Sequence, residues 1–203
     1  MFLVDDTLFT TSWSLAGVRD ALLSDERLIG VSLRLGGNIT WCYPLDMPQS
    51  IPRAITLAQG LLAFQHVGAA GDFGYPLEVS SSLYRAGDIM SALASAEFRN
   101  PNTLEAALHA GRGQLCERRP LLACFPESVA FSNPVNIVQQ EYPNRHGRNT
   151  EWSVAKLREL FDAGLRLDVG SYRGLRTKAC HEERSLQFLY PKIRKHPVQQ
   201  IES

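Results

Sequence analysis

Three sets of residues in this chain have the means for chemistry: four cysteines, five histidines and a run of cations near the C-terminus. The cysteines are Cys42, Cys116, Cys124 and Cys180. None forms a Cys-x-x-Cys pair, Cys116 and Cys124 stand too far apart for a zinc knuckle, and the adjacent Cys180 and His181 cannot readily face one metal. Their expected role is that of buried, reduced thiols acting as small hydrophobes. His66, His109, His146, His181 and His196 are scattered, and Ser80-Ser81-Ser82 lacks the flanking glycines of a nucleophile elbow. Gly68–Gly74 (GAAGDFG) has neither the Gly-Lys-Ser/Thr ending of a phosphate loop nor the Gly-x-Gly-x-x-Gly spacing of a dinucleotide turn. It reads as a flexible linker. The expectation is therefore no catalytic residue, no metal and no cofactor.

The cations are more informative. Residues 1–142 carry nine Arg, no Lys and 14 acids, whereas residues 143–203 carry eight Arg, four Lys and seven acids. A net charge of zero thus hides an acidic body followed by a basic end. Such asymmetry points to a surface for nucleic acid or an acidic partner, and equally fits a solvated tail.

The elements that position these groups suggest an α+β fold, an antiparallel sheet with packed helices plus a small helical C-terminal unit. At 44% apolar and 21% charged residues the composition is that of a globular chain, which excludes a disordered or collagen-like one. No apolar run is long enough to span a bilayer, and the N-terminus lacks the features of a secretory signal, so a cytoplasmic protein without membrane contact is expected. Phe2–Phe9 is β-rich, and Ser14 is placed to cap a helix over Leu15–Leu23. Arg27–Leu35 and Ile39–Tyr43, joined by Gly36-Gly37-Asn38, read as a hairpin closed by residues that tolerate positive φ. Ile55, Ala58, Leu61, Leu62 and Gln65 make one helical stripe after Pro52. Further helices are expected over Ile89–Phe98 and Leu104–Ala110, and strands over Leu121–Phe125 and Val129–Phe131. Tyr142–Asn149 is polar, contains Pro and Gly, and sits where the charge changes sign, so it reads as a linker. The chain then divides into a body (1–142), a helical unit (150–189) and an extended tail (190–203).

Within the second unit, Ser153–Ala163 makes an amphipathic helix with Val154, Leu157, Leu160 and Phe161 on one face, and a second helical stretch is expected from Thr177 to Leu189. Trp152-Ser153, Leu157-Arg158-Glu159-Leu160, Gly164, Arg176-Thr177 and Arg184 resemble a Myb/SANT-like helix-turn-helix segment. That resemblance implies a small DNA-binding regulator or accessory factor. In it Thr177 caps a recognition helix, Lys178, His181 and Arg184 face double-stranded DNA, and Arg173 and Arg176 meet phosphates. Two other classes stay open: a protein-interaction or inhibitor module with a protein partner, and an enzyme of unrecognised class.

Overall fold

The computed structural model describes residues 1–94, 96–135 and 152–190. In chain order its strands are β1 (Thr7–Phe9), β2 (Leu28–Ser32), β3 (Trp41–Cys42), β4 (Met47–Pro48), β5 (Ala54–Thr56), β6 (Leu62–Gln65), β7 (Ser82–Tyr84), β8 (Leu121–Cys124), β9 (Ala130–Ser132), β10 (Arg166–Leu167) and β11 (Phe188–Leu189). Its helices are α1 (Leu15–Ser24), α2 (Ala86–Leu93), α3 (Pro101–Ala110), α4 (Gly113–Arg118) and α5 (Val154–Asp162). The fold is α+β.

The central sheet runs β5-β6-β8-β2-β7 and is mixed rather than purely antiparallel, because its two middle strands, β2 and β8, are parallel. All five residues of β2 are buried, as a strand covered on both faces must be. One face packs with α1, whose Val18, Ala21 and Leu22 meet Leu28, Val31 and Ala123. The other holds Ile29, Phe64, Phe73 and Leu122 with Leu108 of α3. A satellite pair, β1 with β9, carries Leu8 and Phe131 against Tyr172.

Local capping chemistry sets several boundaries. Ser14 accepts from the Gly17 N–H at the start of α1, and Ser153 accepts from Lys156 N–H at the start of α5. Helix α3 begins a turn earlier than the sequence suggests, with Asn100 and Thr103 capping one another reciprocally and Pro101 in the first turn.

Four sequence expectations are corrected. Arg27–Tyr43 is not a hairpin, since β2 pairs with β7 and β8 while β3 pairs with β4. Gly36 and Gly37 serve close approach instead of a left-handed turn: a Cβ on Gly36 would lie 2.4 Å from Ser128 N, and one on Gly37 would lie 3.1 Å from Pro126 O. Ile55–Gln65 is not a helix but the hairpin β5–β6, with Gly60 at φ +77° in its turn. Gly68–Gly74 is no simple linker, because Gly71–Gly74 forms a 3-10 turn that buries Phe73. Finally, Thr177–Leu189 forms no helix. Its main-chain groups bond to Thr40, Trp41 and Ser132 instead of to each other, so long-range pairing overrides local helical pattern. The Tyr142–Asn149 linker and nearly all of the tail lie outside the described residues.

Candidate functional site

The carboxyl ends of the parallel strands β2 and β8 lead into two loops, 33–40 and 125–129, that lie against each other. Crevices at the carboxyl ends of parallel strands are recurrent ligand sites in α/β sheets. Here loop 33–40, backed by loop 125–129, meets a third segment, 176–184, and these two line an open cleft of about 540 Å³ with Gly37, Asn38, Thr40, Arg176, Thr177, Lys178, Glu182 and Arg184.

Its floor is fixed by side-chain amide chemistry. The Asn38 amide donates to Ser128 Oγ and to the Thr177 carbonyl, both at 2.8 Å, and its oxygen accepts from Ser128 N–H at 2.8 Å. Asn38-Ile39-Thr40 has the spelling of a glycosylation acceptor, but this buried amide is fully engaged in the fold.

The wall, residues 176–184, is pinned at nearly every residue. The Lys178 carbonyl accepts from Thr40 N–H at 2.9 Å and Trp41 N–H at 3.0 Å. Ser132 N–H donates to the Cys180 carbonyl, and Glu182 N–H donates back to the Ser132 carbonyl at 3.0 Å. Asn133 clasps Arg184 main chain through both amide atoms, and Tyr43 OH donates to Glu183 at 2.8 Å.

Behind the wall lies a buried ionic knot. Arg34, two residues past β2, is 5% exposed and reaches Glu78 at 3.0 Å, Ser132 Oγ at 3.0 Å and His181 Nε2 at 3.1 Å. Glu78 in turn accepts from Ser80 N–H at 2.5 Å, from Ser81 N–H and from the Ser82 hydroxyl. Guanidinium only donates, so His181 Nε2 is the acceptor and the neutral ring carries its proton on Nδ1. Burial, reinforced by the Arg34 charge, pushes the His181 pKa down to about 3. Its Nδ1 and Arg34 Nε have no hydrogen-bond partner among the described residues. Burial raises the carboxyl pKa of the neighbouring Asp6, while Arg34 pulls it back.

The residues expected to bind DNA separate accordingly. Arg176, Lys178 and Arg184 are exposed and share the cleft. Thr177 is buried, its main chain and hydroxyl held by Asn38 and Ser128, and caps no helix. His181 turns inward to Arg34. Arg173 is exposed but lies outside the cleft lining. Sequence reasoning missed Arg34, Asn38 and Thr40. The available signal was a single arginine inside the apolar run Leu28–Leu35, followed by two glycines whose neighbours needed room.

The thiols behave as their burial dictates: burial raises Cys180 well above its ordinary pKa and pushes Cys124 up to about 12. No helix among the described residues is long and apolar enough to cross a membrane.

No family model matches the chain, and no solved structure matches it. Among curated proteins it is similar to the bifunctional glycosyltransferase pgtA of Dictyostelium discoideum. The two are 25% identical over 166 residues, covering 71% of this chain and 21% of that protein. The chain thus spans about a fifth of the length of the curated relative it matches.

Proposed function

We propose that this chain is a glycosyl-transfer module whose cleft holds the anionic leaving group of an activated sugar donor, of which a nucleoside diphosphate sugar is the natural class. The observation that carries the reading is the convergence of Arg176, Lys178 and Arg184 on one cleft at the ends of the parallel strands. The likeness to a glycosyltransferase supplies the reaction class. In glycosyl transfer an acceptor hydroxyl oxygen bonds to the anomeric carbon as the carbon–oxygen bond to the donor phosphate breaks. The electron pair leaves on the phosphate oxygen, and the hydroxyl proton passes to water. Cations fixed around that phosphate stabilise the charge that develops there. Support for a cytoplasmic location is that all four cysteines are unpaired.

A second reading, a regulator that binds duplex DNA, rests on the exposure of Arg173, Arg176, Lys178 and Arg184. One experiment separates the two. The chain is incubated with a panel of nucleoside diphosphate sugars, and melting temperature and released nucleoside diphosphate are followed; duplex binding is measured by anisotropy at two salt concentrations. Stabilisation by one sugar nucleotide, lost in Arg176→Ala/Lys178→Ala, is the expected outcome. No stabilisation by any donor, together with duplex affinity that falls steeply with salt, would replace the transfer reading by the DNA one. Absence of both leaves the protein-interaction class.

A further inference from the structure

The cleft's cations are not equally available. Arg176 is paired with Glu127 at 3.0 Å on the open surface, where both side chains are more than half exposed and the pair is worth little. Arg184 is paired with Glu182, which itself lines the cleft and is only 18% exposed along its side chain. That carboxylate is held by a second donor, since its other oxygen accepts from Lys178 N–H at 2.9 Å. Lys178 has no ion pair among the described residues, and its ammonium stands 5.8 Å over the Trp41 ring. An incoming anion therefore meets one open ammonium, one loosely held guanidinium and one guanidinium already occupied by an internal carboxylate.

Resting on the donor-cleft reading above, we infer that Glu182 is a built-in competitor for the donor phosphates: it occupies Arg184 in the free protein and must be displaced before a diphosphate can engage all three cations. A lone phosphate gains Lys178 and a share of Arg176, too little to displace a carboxylate anchored at both oxygens. Two linked phosphates span the cleft and engage all three cations, and only then does the contest for Arg184 favour the ligand. Built-in competition of this kind is felt by the ligand that displaces the carboxylate, so it tempers diphosphate affinity and leaves a single phosphate almost untouched. Fork geometry makes arginine the suited partner for either anion.

The test measures orthophosphate and pyrophosphate binding calorimetrically in the wild-type chain, in Glu182→Gln, in Arg184→Gln and in Arg176→Ala. Glutamine still accepts from Lys178 N–H, so the wall keeps its anchor while the charge is lost. The wild type is expected to prefer pyrophosphate at least tenfold. Glu182→Gln should raise pyrophosphate affinity about fivefold and orthophosphate affinity twofold or less, which widens the preference. Arg184→Gln should move it the opposite way, narrowing the preference by losing pyrophosphate affinity about fivefold. If Arg176→Ala weakens both anions but the preference is unchanged in Glu182→Gln, the cleft reading stands and the role of Glu182 is overturned. Should Glu182→Gln fail to fold, unchanged pyrophosphate affinity in Arg184→Gln overturns it equally. If pyrophosphate binds the wild type no better than a neutral disaccharide, the donor-cleft reading falls and this inference with it.

Discussion

Arg34 and Arg176 are the same residue type, one behind the wall and one on it, and their surroundings leave them opposite capacities. Arg34 is 5% exposed and serves Glu78, Ser132 and His181 at once. Arg176 is 68% exposed along its side chain and holds a single carboxylate at the surface. A guanidinium whose donors are already spent on buried acceptors has little left for a ligand, and its removal strands an acid in the interior. An exposed one contributes almost nothing to folding and keeps its donors for a guest. Position behind the wall or on it therefore separates structure from binding more cleanly than residue type does.

The largest expected effect would break this comparison if it failed. Arg34→Met preserves much of the side-chain volume but leaves Glu78 buried without its counter-ion, which should cost about 3–5 kcal/mol. Chemical denaturation measures it. The double variant Arg34→Met/Glu78→Gln should recover part of that loss, because the stranded charge is gone. A single variant as stable as wild type would mean the knot does not hold the wall.

Next in size is the pH dependence of the same knot. His181 is pushed down to about 3 in the folded chain, against an ordinary value near 6.5. Between those values the unfolded chain binds a proton that the folded chain refuses, so stability falls as pH drops below 6.5 and is unaffected above it. His181→Gln keeps an acceptor for Arg34 and removes the titration. Relative to that variant the wild type should lose about 2 kcal/mol between pH 7 and pH 5. Burial raises Asp6, Asp72 and Glu105, which act in the opposite sense by favouring the fold while protonated, and comparison with the variant cancels them. A constant difference across that range would remove His181 from the buried knot.

How much of this was legible beforehand depends on the range of the interaction. Helices α1 and α5 were legible because Ser14 and Ser153 cap them through bonds to residues three positions away. Strands β8 and β9 announced themselves as short apolar runs ended by Pro126 and Pro134. The Gly36-Gly37-Asn38 loop misled, because glycine marks both a left-handed turn and a close approach, and only the distant Ser128 and Pro126 decide which. Residues 55–65 satisfied a helical stripe and a hairpin alike, and strand pairing with β8 chose the hairpin. In the site, the C-terminal concentration of cations was legible from charge, and Arg176, Lys178 and Arg184 were singled out within it through the helix-turn-helix resemblance. The cleft that unites them was not, since its floor is built by Asn38, nearly 140 residues upstream of Thr177, whose carbonyl it holds.

A smaller effect concerns the C-terminal elements. Trp152 is half-buried and packs against Phe188 with ring centroids 5.3 Å apart, just where β11 pairs with β10. Trp152→Ala should destabilise by roughly 1 kcal/mol, well below the cost of truncating a fully buried ring. The loss should appear as faster amide exchange of β10 and β11 while β2 and β8 keep their protection. Uniform acceleration across the central sheet would show that the two regions unfold together.

The smallest effect on folding carries the most weight for function. Arg176→Ala/Lys178→Ala removes two exposed cations whose known contacts are a surface ion pair with Glu127 and a distant approach to Trp41. Each substitution should change stability by no more than about 0.5 kcal/mol, because exposed pairs are screened by solvent and their long side chains regain freedom when released. Pyrophosphate affinity should nonetheless fall tenfold or more, and its salt dependence should flatten, since fewer charges are neutralised on binding. Melting curves and titrations on the same preparations separate the two quantities. A variant that melts with the wild type but no longer binds assigns these cations to the ligand; a variant that binds as before returns them to the solvated surface.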